Sequence, residues 1–443
     1  MTDQQKQALP KCRFCNEALK HTFVDLGMSP LCQTHITHEA LNHMEPFYPL
    51  RAYVCSRCFL VQLEEYVSPR EIFSEYAYFS SYTDSWVQHA KEYTDRVSRR
   101  FGIDPRWKVM EIASNDGYLL QHFVNKGIPV LGIEPAANVA QVAIEKGIPT
   151  TVQFFGQDTA GSILSEHGHA DLLLGNNVLA HVPKLNDFVA GMKILLSPDG
   201  VITMEFPHLM QLVENNQFDT IYHEHFSYLS LFTVEQVFAA HRLCLFDVEE
   251  IATHGGSIRI YARHEENNAL AVTERVKELR EREIKKGYVQ LPTYFAFTER
   301  VKETKRKLLE FLVSAKSADK SIVGYGAPGK GNTLLNYCGI RQDFLDYTVD
   351  RSPYKQGKFT PGTHIPICHP DKIKETKPDY VLILPWNLKK EIMSVAGFIR
   401  EWGGKFVVPI PEVEVVHGIA DGLGAGGRRG TLDPSCGAVG EPL

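Results

Sequence analysis

The sequence predicts a multidomain α/β protein, with a small cysteine-rich module at its N-terminus and two Rossmann-like domains behind it. Three observations lead to this prediction. Two Cys-x-x-Cys pairs occur early in the chain, strand patterns alternate with amphipathic helix patterns through its middle, and a second strand, glycine-rich turn and helix begin near residue 321. A chain of 443 residues is also too long for one ordinary core and suits two or three domains.

The composition excludes several classes of protein. Apolar residues make up 44% of the chain and charged residues 23%, which is enough apolar material for buried cores and excludes wholesale disorder. The net charge of −6 disfavours a nucleic-acid-binding protein. No apolar run is long enough for a membrane span, and the first residues lack the apolar segment of a secretory signal. We therefore expect a cytoplasmic monomer without nucleic-acid or membrane partners.

The cysteine pattern indicates a metal site. Four of the nine cysteines form two Cys-x-x-Cys pairs, and these are Cys12, Cys15, Cys55 and Cys58. In a reducing cytoplasm, paired cysteines favour a metal over disulfides, and two such knuckles can place four thiolates around one Zn²⁺. Four thiolates leave no open coordination position, so this zinc is expected to be structural, with four free thiols as the alternative. Cys32, His35 and His38 are expected to be surface residues rather than spare ligands.

The middle of the chain predicts a parallel sheet covered by helices. Residues 80–104 are expected to form a helix, because apolar side chains recur there at helical spacing. The segments WKVMEI, PVLGIEP, DLLLGNN and GVITMEFP then read as strands separated by amphipathic helices. In such a domain, ligands bind at the carboxyl ends of the strands.

Two acidic residues and a turn indicate the class of ligand. Glu111 lies in the first of these strands, and Glu134 ends the second, where a carboxylate can accept both hydroxyls of a ribose. The turn at 113–117 has one glycine, whereas a dinucleotide site needs the pattern G-x-G-x-x-G. The turn therefore favours S-adenosylmethionine over a dinucleotide, and an ordinary strand–turn–helix remains the alternative.

Two further segments carry polar residues that suit a ligand site. Asn176 and Asn177 follow a strand, and because buried amides need hydrogen-bond partners, we expect them on a ligand-facing loop. The segment 222–228, YHEHFSY, suits an acid–base centre, in which a histidine is oriented by a carboxylate and tyrosines donate to an oxyanion. A metal site and a structural hydrogen-bonded cluster are the alternatives. Thr233 is expected to cap the following helix.

The last third of the chain predicts two charged helices and a second Rossmann-like domain. Residues 266–318 are dense in Lys, Arg and Glu and are expected to form helices with solvated faces. In the glycine-rich turn at 324–332, backbone amides with Lys330 and Asn332 suit a diphosphate at a helix N-terminus. A degenerate domain kept only for packing is the alternative. The glycine-rich residues 417–443 are expected to be a flexible tail.

Taken in order, these motifs resemble a known family. They are the two CxxC knuckles, EIASNDGYLL, GIEPAANVA, NNVLAHV, EFPH, YHEHFSYLS, HGGSIR and GYGAPGKGNTLLNYCGI. The chain resembles the three-domain nucleotide-sugar C-methyltransferases, which use S-adenosylmethionine to methylate dTDP-4-keto-deoxysugars, here at C-3. The resemblance implies a zinc-binding module (1–75), a class I methyltransferase domain (76–255) and a nucleotide-sugar-binding α/β domain (256–416) before the tail.

The resemblance also implies roles for particular residues. The catalytic base is His225, with Glu224 beside it and with Tyr222 and Tyr76 near the sugar. The expected cofactor-binding residues are Glu111, Ala113, Asn115, Gly117, Glu134, Pro135, Asn177, Val178 and His181. The expected substrate-binding residues are His208, Lys330, Asn332, Arg351, Lys355 and Asn387. Two other functions remain open: an O- or N-methyltransferase acting on another nucleotide-linked sugar, and a non-catalytic zinc-ribbon binding protein.

Overall fold

The computed structural model describes residues 9–73 and 79–416. These residues form three β-sheets, of four, seven and six strands. The predicted α/β class is confirmed: a cysteine-rich module precedes two Rossmann-like domains. Tyr76 and the predicted tail at 417–443 lie outside the described residues. Among the helices of 9–73 and 79–416, none combines the length and the apolar composition needed to span a bilayer.

The N-terminal module is a small antiparallel sheet. Its elements are β1 (His21–Ser29), β2 (Tyr48–Val54), β3 (Val61–Leu63) and α1 (Pro69–Phe73). The sheet has a fourth strand, Ser227–Tyr228, which pairs with β3 although it lies more than 160 residues further along the chain. This strand follows the Tyr-His-Glu-His segment directly, so the cysteine module helps to fix the position of that segment.

The central domain is built on a seven-stranded sheet. Its elements are α2 (Asp84–Phe101), β4 (Val109–Ile112), α3 (Leu120–Val124), β5 (Val130–Ile133), α4 (Ala137–Glu145), β6 (Thr150–Thr151), α5 (Gln157–His167), β7 (Ala170–Asn176), α6 (Leu185–Leu195), β8 (Leu196–Pro207), α7 (Leu209–Glu214), β9 (Ser227–Tyr228), α8 (Leu231–Ala240), β10 (Leu243–Ile251) and β11 (Ser257–His264). The strand order is β10-β11-β8-β7-β4-β5-β6, and β9 belongs to the module. Because the order reverses at β4, a ligand crevice is expected at the carboxyl end of that strand.

Three local differences from the sequence predictions occur here. The long helix begins at Asp84 rather than at residue 80. The cap of α8 is Ser230, whose hydroxyl accepts the Thr233 N–H, so Thr233 lies in the first turn instead. The central sheet also extends past the predicted boundary at 255/256, because β11 pairs with both β8 and β10.

The C-terminal domain is a second, mostly parallel sheet behind two long helices. Its elements are α9 (Glu274–Lys285), α10 (Leu291–Ser317), β12 (Ile322–Tyr325), α11 (Gly329–Cys338), β13 (Thr348–Val349), β14 (Ile367–Cys368), α12 (Lys372–Thr376), β15 (Tyr380–Ile383), α13 (Lys389–Val395), β16 (Lys405–Val408) and β17 (Glu414–Val416). The strand order is β14-β13-β12-β15-β16-β17, and only β17 is antiparallel to its neighbour within this described sheet. The two predicted charged helices are present, although α9 also buries an apolar stripe and Glu283.

The three sheets share one core. A continuous apolar cluster includes Leu60 from the module, Met204 and Leu231 from the central domain, and Leu334 and Ile383 from the C-terminal domain. Short 3-10 turns lie at Glu39–Asn42, Ser80–Tyr82, Leu179–His181, Phe218–Thr220, Thr253–Gly255, Trp386–Leu388 and Gly397–Trp402. Several of these turns come together where the three domains meet, and the predicted catalytic segment lies there.

Candidate active site

The four paired cysteines come together in the N-terminal module. Their sulfur atoms all lie within 4.8 Å of one another. Sγ of Cys12 is 3.5 Å from that of Cys58, and Sγ of Cys15 is 3.5 Å from that of Cys55. Thiolates about 2.3 Å from a tetrahedral zinc lie roughly 3.8 Å apart, so the cluster fits the ion. Gln62 donates to Cys12 Sγ at 3.2 Å and orients it. The predicted structural zinc site is therefore supported by geometry.

Cys32, in contrast, is not the surface residue that the sequence predicted. Its side chain is buried, and Sγ lies 3.5 Å from Oε1 of Glu224, which it faces across the domain junction. The Cys32 carbonyl accepts a hydrogen bond from Asn332 Nδ2 at 2.6 Å. His35 is half-buried and His38 is exposed. The loop after β1 thus links the module to both other domains.

The carboxyl end of β5 carries Glu134 and Pro135, at the crevice predicted by the strand order. Glu134 accepts hydrogen bonds from the backbone N–H groups of Asn115 and Ala136, each at 2.9 Å. Burial raises the pKa of Glu134, although these two N–H groups oppose the rise. The carboxylate thus ties the two strand-end turns together.

Glu111 lies deeper in the same crevice. It is fully buried, and neither of its carboxylate oxygens has a hydrogen-bond partner among the described residues. Burial raises the pKa of Glu111 well above its usual range, and the charges of Glu134 and Asp116 raise it further. Buried polar groups normally have partners, so an unpartnered buried carboxyl group suits a position that faces a polar ligand group.

The turn between β4 and α3 has the backbone shape of a ligand cradle. Ala113, Asn115 and Gly117 all have positive φ, at 56°, 50° and 77°. Positive φ is uncommon for residues other than glycine, and it clusters where a loop must bend around a ligand. At Gly117 a Cβ would also lie 2.3 Å from Cδ1 of Ile148, so no other residue fits without a shift.

An aromatic wall borders this crevice, and the sequence did not predict it. The Trp86 ring lies 6.1 Å from that of Tyr118 and 5.0 Å from that of His254. His254 Nε2 is 3.2 Å from Nδ2 of Asn177, at the carboxyl end of β7, and Val178 beyond it is buried. His254 has a φ of 54°. The two glycines that follow it were the one feature of the sequence from which this part of the wall could have been predicted.

The Tyr-His-Glu-His segment forms a buried turn that presents His225. Nδ1 of His225 lies 2.9 Å from the Thr220 carbonyl, so Nδ1 carries the proton and Nε2 is the basic nitrogen. The His225 ring centroid lies 4.1 Å from that of Tyr222 and 4.6 Å from that of His181. One backbone carbonyl therefore fixes both the tautomer and the orientation of the ring.

Electrostatics keep this histidine neutral. Burial lowers the pKa of His225 well below its usual range, and the neighbouring charges of His181, His254 and Lys330 lower it further. Burial raises the pKa of Tyr222 well above its usual range, so its phenol keeps its proton. The pair is thus a neutral base beside a neutral O–H donor, which is the arrangement that the acid–base interpretation requires.

The metal interpretation of this segment is not supported. His223 points to the N-terminal module, where its Nε2 lies 3.2 Å from the Pro49 carbonyl, whereas His225 binds the Thr220 carbonyl. In the described part of the chain, the cysteine cluster is the one group of residues whose ligand atoms converge as a metal site requires.

Two of the predicted substrate residues lie together at the domain junction. Nζ of Lys330, at the start of α11, donates to Oδ1 of Asn387 at 2.9 Å and lies 4.6 Å from the centre of the Trp386 ring. Lys330 and Asn387 are half-buried, while Trp386 is buried. The ammonium group therefore contacts a side-chain amide oxygen and an indole face.

The other predicted substrate residues have partners within the protein. Lys355 Nζ donates to the Ala327 carbonyl at 2.9 Å, behind the glycine-rich turn. Arg351 is exposed and pairs with Glu391 on α13. Asn332 is buried against Cys32. Of these three, Lys355 reaches the glycine-rich turn from outside it, and Asn332 belongs to the turn but faces Cys32.

The expectation that His208 contacts substrate is contradicted by its surroundings. Its side chain is completely buried, and Nε2 lies 2.6 Å from Oε1 of Glu283. The Glu283 carboxylate also accepts the N–H groups of Leu231 and Phe232, each at 2.8 Å. His208 therefore helps to anchor the start of α8, which follows the catalytic segment.

Comparison with known proteins assigns the chain to a family. A family described as a putative zinc binding domain matches residues 12–73, one described as a methyltransferase domain matches 85–243, and one described as a C-methyltransferase C-terminal domain matches 252–411. The C-methyltransferase NovU of Streptomyces niveus is 35% identical over 413 residues, which are 92% of this chain and 97% of that protein. The chain belongs to the S-adenosylmethionine-dependent C-methyltransferases.

Solved methyltransferases are also similar to parts of this C-methyltransferase. One, an S-adenosylmethionine-dependent methyltransferase from Clostridium acetobutylicum, is 11% identical and covers 40% of this chain and 92% of its own, with a TM-score of 0.33. Another, the magnesium protoporphyrin IX methyltransferase of Synechocystis with bound S-adenosylhomocysteine, is 14% identical and covers 44% of this chain and 90% of its own, with a TM-score of 0.32.

The crevice of this C-methyltransferase fits its cofactor chemically. S-Adenosylmethionine carries an α-ammonium group, a ribose diol and an adenine ring. The crevice offers the unpartnered carboxyl group of Glu111, the strand-end carboxylate of Glu134, and a turn with positive φ at Ala113 and Asn115. When bound, the cofactor supplies an electrophilic methyl group.

Proposed function

We propose that this enzyme methylates the carbon next to the ketone of a dTDP-linked 4-keto-deoxysugar, at C-3. The observation that carries the proposal is His225, a buried and neutral imidazole whose Nδ1 is held by the Thr220 carbonyl beside the Tyr222 phenol. A C–H bond is acidic enough for such a base only next to a carbonyl group, because the electron pair can move onto oxygen. The relative NovU is a C-methyltransferase, and C-methylation also requires a carbon nucleophile.

In the proposed mechanism, Nε2 of His225 removes the proton from the substrate carbon. The electrons of the C–H bond form a C=C bond, and those of the C=O bond move onto the oxygen to give an enolate. Tyr222, which keeps its proton, donates to this oxygen. The C=O bond would then re-form as the enolate carbon bonds to the methyl group that bound S-adenosylmethionine would supply, and the electron pair of the broken S–CH3 bond would remain on sulfur in S-adenosylhomocysteine. Burial of Glu224 and His225 excludes water, which strengthens these interactions.

Glu224 serves in this proposal to orient the catalytic turn. It is buried, and Cys32 donates to its Oε1 at 3.5 Å. His181 packs edge-on against His225 and limits the positions the imidazole can take. Tyr76, which was predicted to face the sugar, lies outside the described residues.

In this proposal, the nucleotide sugar binds at the glycine-rich turn of the C-terminal domain. Lys330, which binds Asn387, lies close enough to the base to lower the pKa of His225, and Lys355 lies behind the same turn. These groups suit an anionic nucleotide sugar that lies between the central and C-terminal domains. Arg351, Asn332 and His208 have partners elsewhere and take no part in it.

The test is the enzyme with S-adenosylmethionine and a series of dTDP-4-keto sugars, with mass spectrometry of the product. We expect the gain of one methyl group, and with S-adenosylhomocysteine in D₂O we expect exchange of the α-hydrogen that depends on His225. An O- or N-methyltransferase needs no proton taken from carbon, so methyl gain without exchange would support that alternative. A non-catalytic zinc protein is already excluded by the family.

We also propose that Glu111 holds the cofactor ammonium group, and expect Glu111→Gln to weaken S-adenosylhomocysteine binding. A hydrogen bond to a charged group contributes about 1.5–3 kcal/mol, which is roughly 10- to 100-fold in Kd. Because the pKa of Glu111 is raised in the free protein, an ammonium ligand that favours the carboxylate should release a proton on binding. Affinity should therefore rise with pH in the wild type.

Isothermal titration in two buffers of different ionisation enthalpy measures both effects. Thermal unfolding is the control. The Tm of Glu111→Gln should equal or exceed that of the wild type, since the substitution removes an unpartnered buried acid. Equal affinity and equal proton release in the two proteins would contradict this role for Glu111.

A further inference from the structure

Asp219 is a buried acid with no role in the mechanism described so far. It is completely buried, in the 3-10 turn Phe218–Thr220, and Oδ2 accepts the indole N–H of Trp386 at 2.7 Å. Trp386 belongs to the C-terminal domain. The carbonyl of the next residue, Thr220, is the group that holds Nδ1 of His225. The carboxylate thus connects the C-terminal domain to the turn that orients the base.

Lys330 lies on the face of the same indole. Its Nζ is 4.6 Å from the centre of the Trp386 ring, within range of a cation–π interaction, and it donates to Asn387 Oδ1. Asp219 binds the edge of the ring and Lys330 covers its face, so the two charges are coupled through the indole. An anion on the N–H group makes the ring more electron-rich, which strengthens its attraction for the ammonium group.

Two further contacts place this cluster at the catalytic turn. Thr333, one turn along α11 from Lys330, donates its hydroxyl to the Ile221 carbonyl at 3.2 Å, immediately before Tyr222. On the other side, a Cβ at Gly255 would lie 2.6 Å from the Trp386 ring, so the indole packs directly against the residue after His254. The ammonium group is close enough to both the base and the aromatic wall to lower the pKa values of His225 and His254.

We propose that Asp219 and Trp386 are positioning residues that hold the Lys330 ammonium group beside His225, where it meets an anionic oxygen of the substrate. This inference rests on the proposed function. Two oxygens have the required chemistry, the enolate oxygen and a diphosphate oxygen. A fixed cation in a water-excluded site stabilises either one without reorganising during the reaction.

The charges around this cluster give the expected pH dependence. Burial raises the pKa of Asp219 to about 6, although Lys330 and the Trp386 hydrogen bond oppose the rise. Burial lowers the pKa of Lys330, and Asp219 is the charge that opposes this. Four other titratable groups interact with this pair. The charge of Lys330 lowers the pKa values of His225 and His254, and the charge of Asp219 raises those of Tyr222 and Cys338. Above about pH 6 Asp219 is ionised and holds the ammonium group, and below it this hold is lost.

The test compares Asp219→Asn with Trp386→Phe in the full-length enzyme. Asn keeps an acceptor for the indole N–H and removes only the charge, whereas Phe keeps an aromatic face under Lys330 and removes the N–H. For both we expect kcat/KM to fall on the order of 10- to 100-fold, as for a misplaced catalytic group. In Asp219→Asn the acid limb of the pH profile near 6 should also disappear, because the group that titrates there is gone.

Lys330→Arg and Lys330→Met identify the oxygen. Arg should retain most of the activity that Met loses, and the loss with Met should appear in kcat for the enolate oxygen or in KM for a diphosphate oxygen. The matched control is Asp104→Asn, which neutralises an exposed acid paired with Arg106 and should leave the kinetics unchanged.

Wild-type methylation is measured first, so that failure of the proposed function is recognised independently. If the wild type methylates a keto sugar, but Asp219→Asn and Trp386→Phe keep its kcat/KM and its acid limb, the inference is overturned. A fall in kcat/KM with no change in the acid limb would also overturn it, because that result indicates a purely structural role. Thermal unfolding of each variant shows whether the comparison is made on folded protein.

Discussion

His225→Asn is expected to lower kcat by about 10²- to 10⁴-fold, the usual contribution of a positioned general base. Asn can still interact with the Thr220 carbonyl, so the turn keeps an anchor, but it offers no basic nitrogen to the substrate. The methyl product is measured by mass spectrometry under single-turnover conditions. α-Hydrogen exchange in D₂O should fall by the same factor, since it reports proton removal alone.

The pH profile adds a second readout for this residue. The pKa of His225 is lowered in the folded protein, so the imidazole stays neutral and active well below the ordinary histidine value of about 6.5. Any fall in kcat/KM that comes from protonation of His225 should therefore appear at a pH below that value. An acid limb above 6.5 that His225→Asn removes would contradict the assignment.

The matched control for this experiment is His223→Asn, two residues away. His223 is also buried, but its Nε2 faces the Pro49 carbonyl of the cysteine module. The His223→Asn substitution should therefore leave kcat close to that of the wild type. Binding of S-adenosylhomocysteine should be unchanged in both variants. A loss in His223→Asn as large as that in His225→Asn, on equally stable protein, would indicate that the whole turn matters rather than one base.

The groups that the sequence alone could bring together are those placed by local patterns. The Cys-x-x-Cys spacing predicts knuckles, and strand ends predict where Glu111 and Glu134 meet, because parallel strands bring their carboxyl ends to one edge. The segment around His225 was recognisable because its polar residues are consecutive in the chain. In each case the chemistry depends on neighbours in sequence or on a regular sheet.

The groups that the sequence missed are joined by contacts between distant segments. Asp219 and Trp386 are 167 residues apart, and Cys32 and Glu224 are 192 apart. Nothing local marks either pair, because burial and partner are set only when the domains pack. For His208 the sequence predicted a ligand contact, from its EFPH motif, where the structure has an internal contact. Nε2 of His208 binds Glu283, which is 75 residues away in a charged helix.

Removing zinc is expected to abolish methylation while leaving cofactor binding nearly intact. Structural zinc sites contribute about 10–16 kcal/mol of apparent binding free energy, which is comparable with the whole stability of a domain, about 5–15 kcal/mol. Without the ion the module should therefore unfold. The catalytic turn depends on it directly, because β3 pairs with Ser227–Tyr228 and the Cys58 carbonyl accepts the Thr233 hydroxyl at 3.1 Å.

The cofactor crevice, in contrast, is built from β4, β5 and β7 of the central sheet and has no strand from the module. Cys58→Ser, or treatment with a strong chelator, should thus lower the methylation rate by more than about 10²-fold, the contribution of the misplaced base. The Kd for S-adenosylhomocysteine should change by less than about 3-fold, within the roughly 0.5 kcal/mol expected of distant, independent sites.

Metal analysis should give one zinc per chain in the wild type and in the control Cys244→Ser, which alters a half-buried thiol outside the cluster. Loss of both methylation and S-adenosylhomocysteine binding would mean that the central domain cannot maintain its crevice without the module. Retention of both methylation and binding after complete zinc removal would mean that the module keeps its fold with free thiols alone. The predicted split, in which binding survives and methylation does not, follows from a single structural fact: His225 belongs to the central domain, but the strand that follows it, Ser227–Tyr228, is part of the module's sheet.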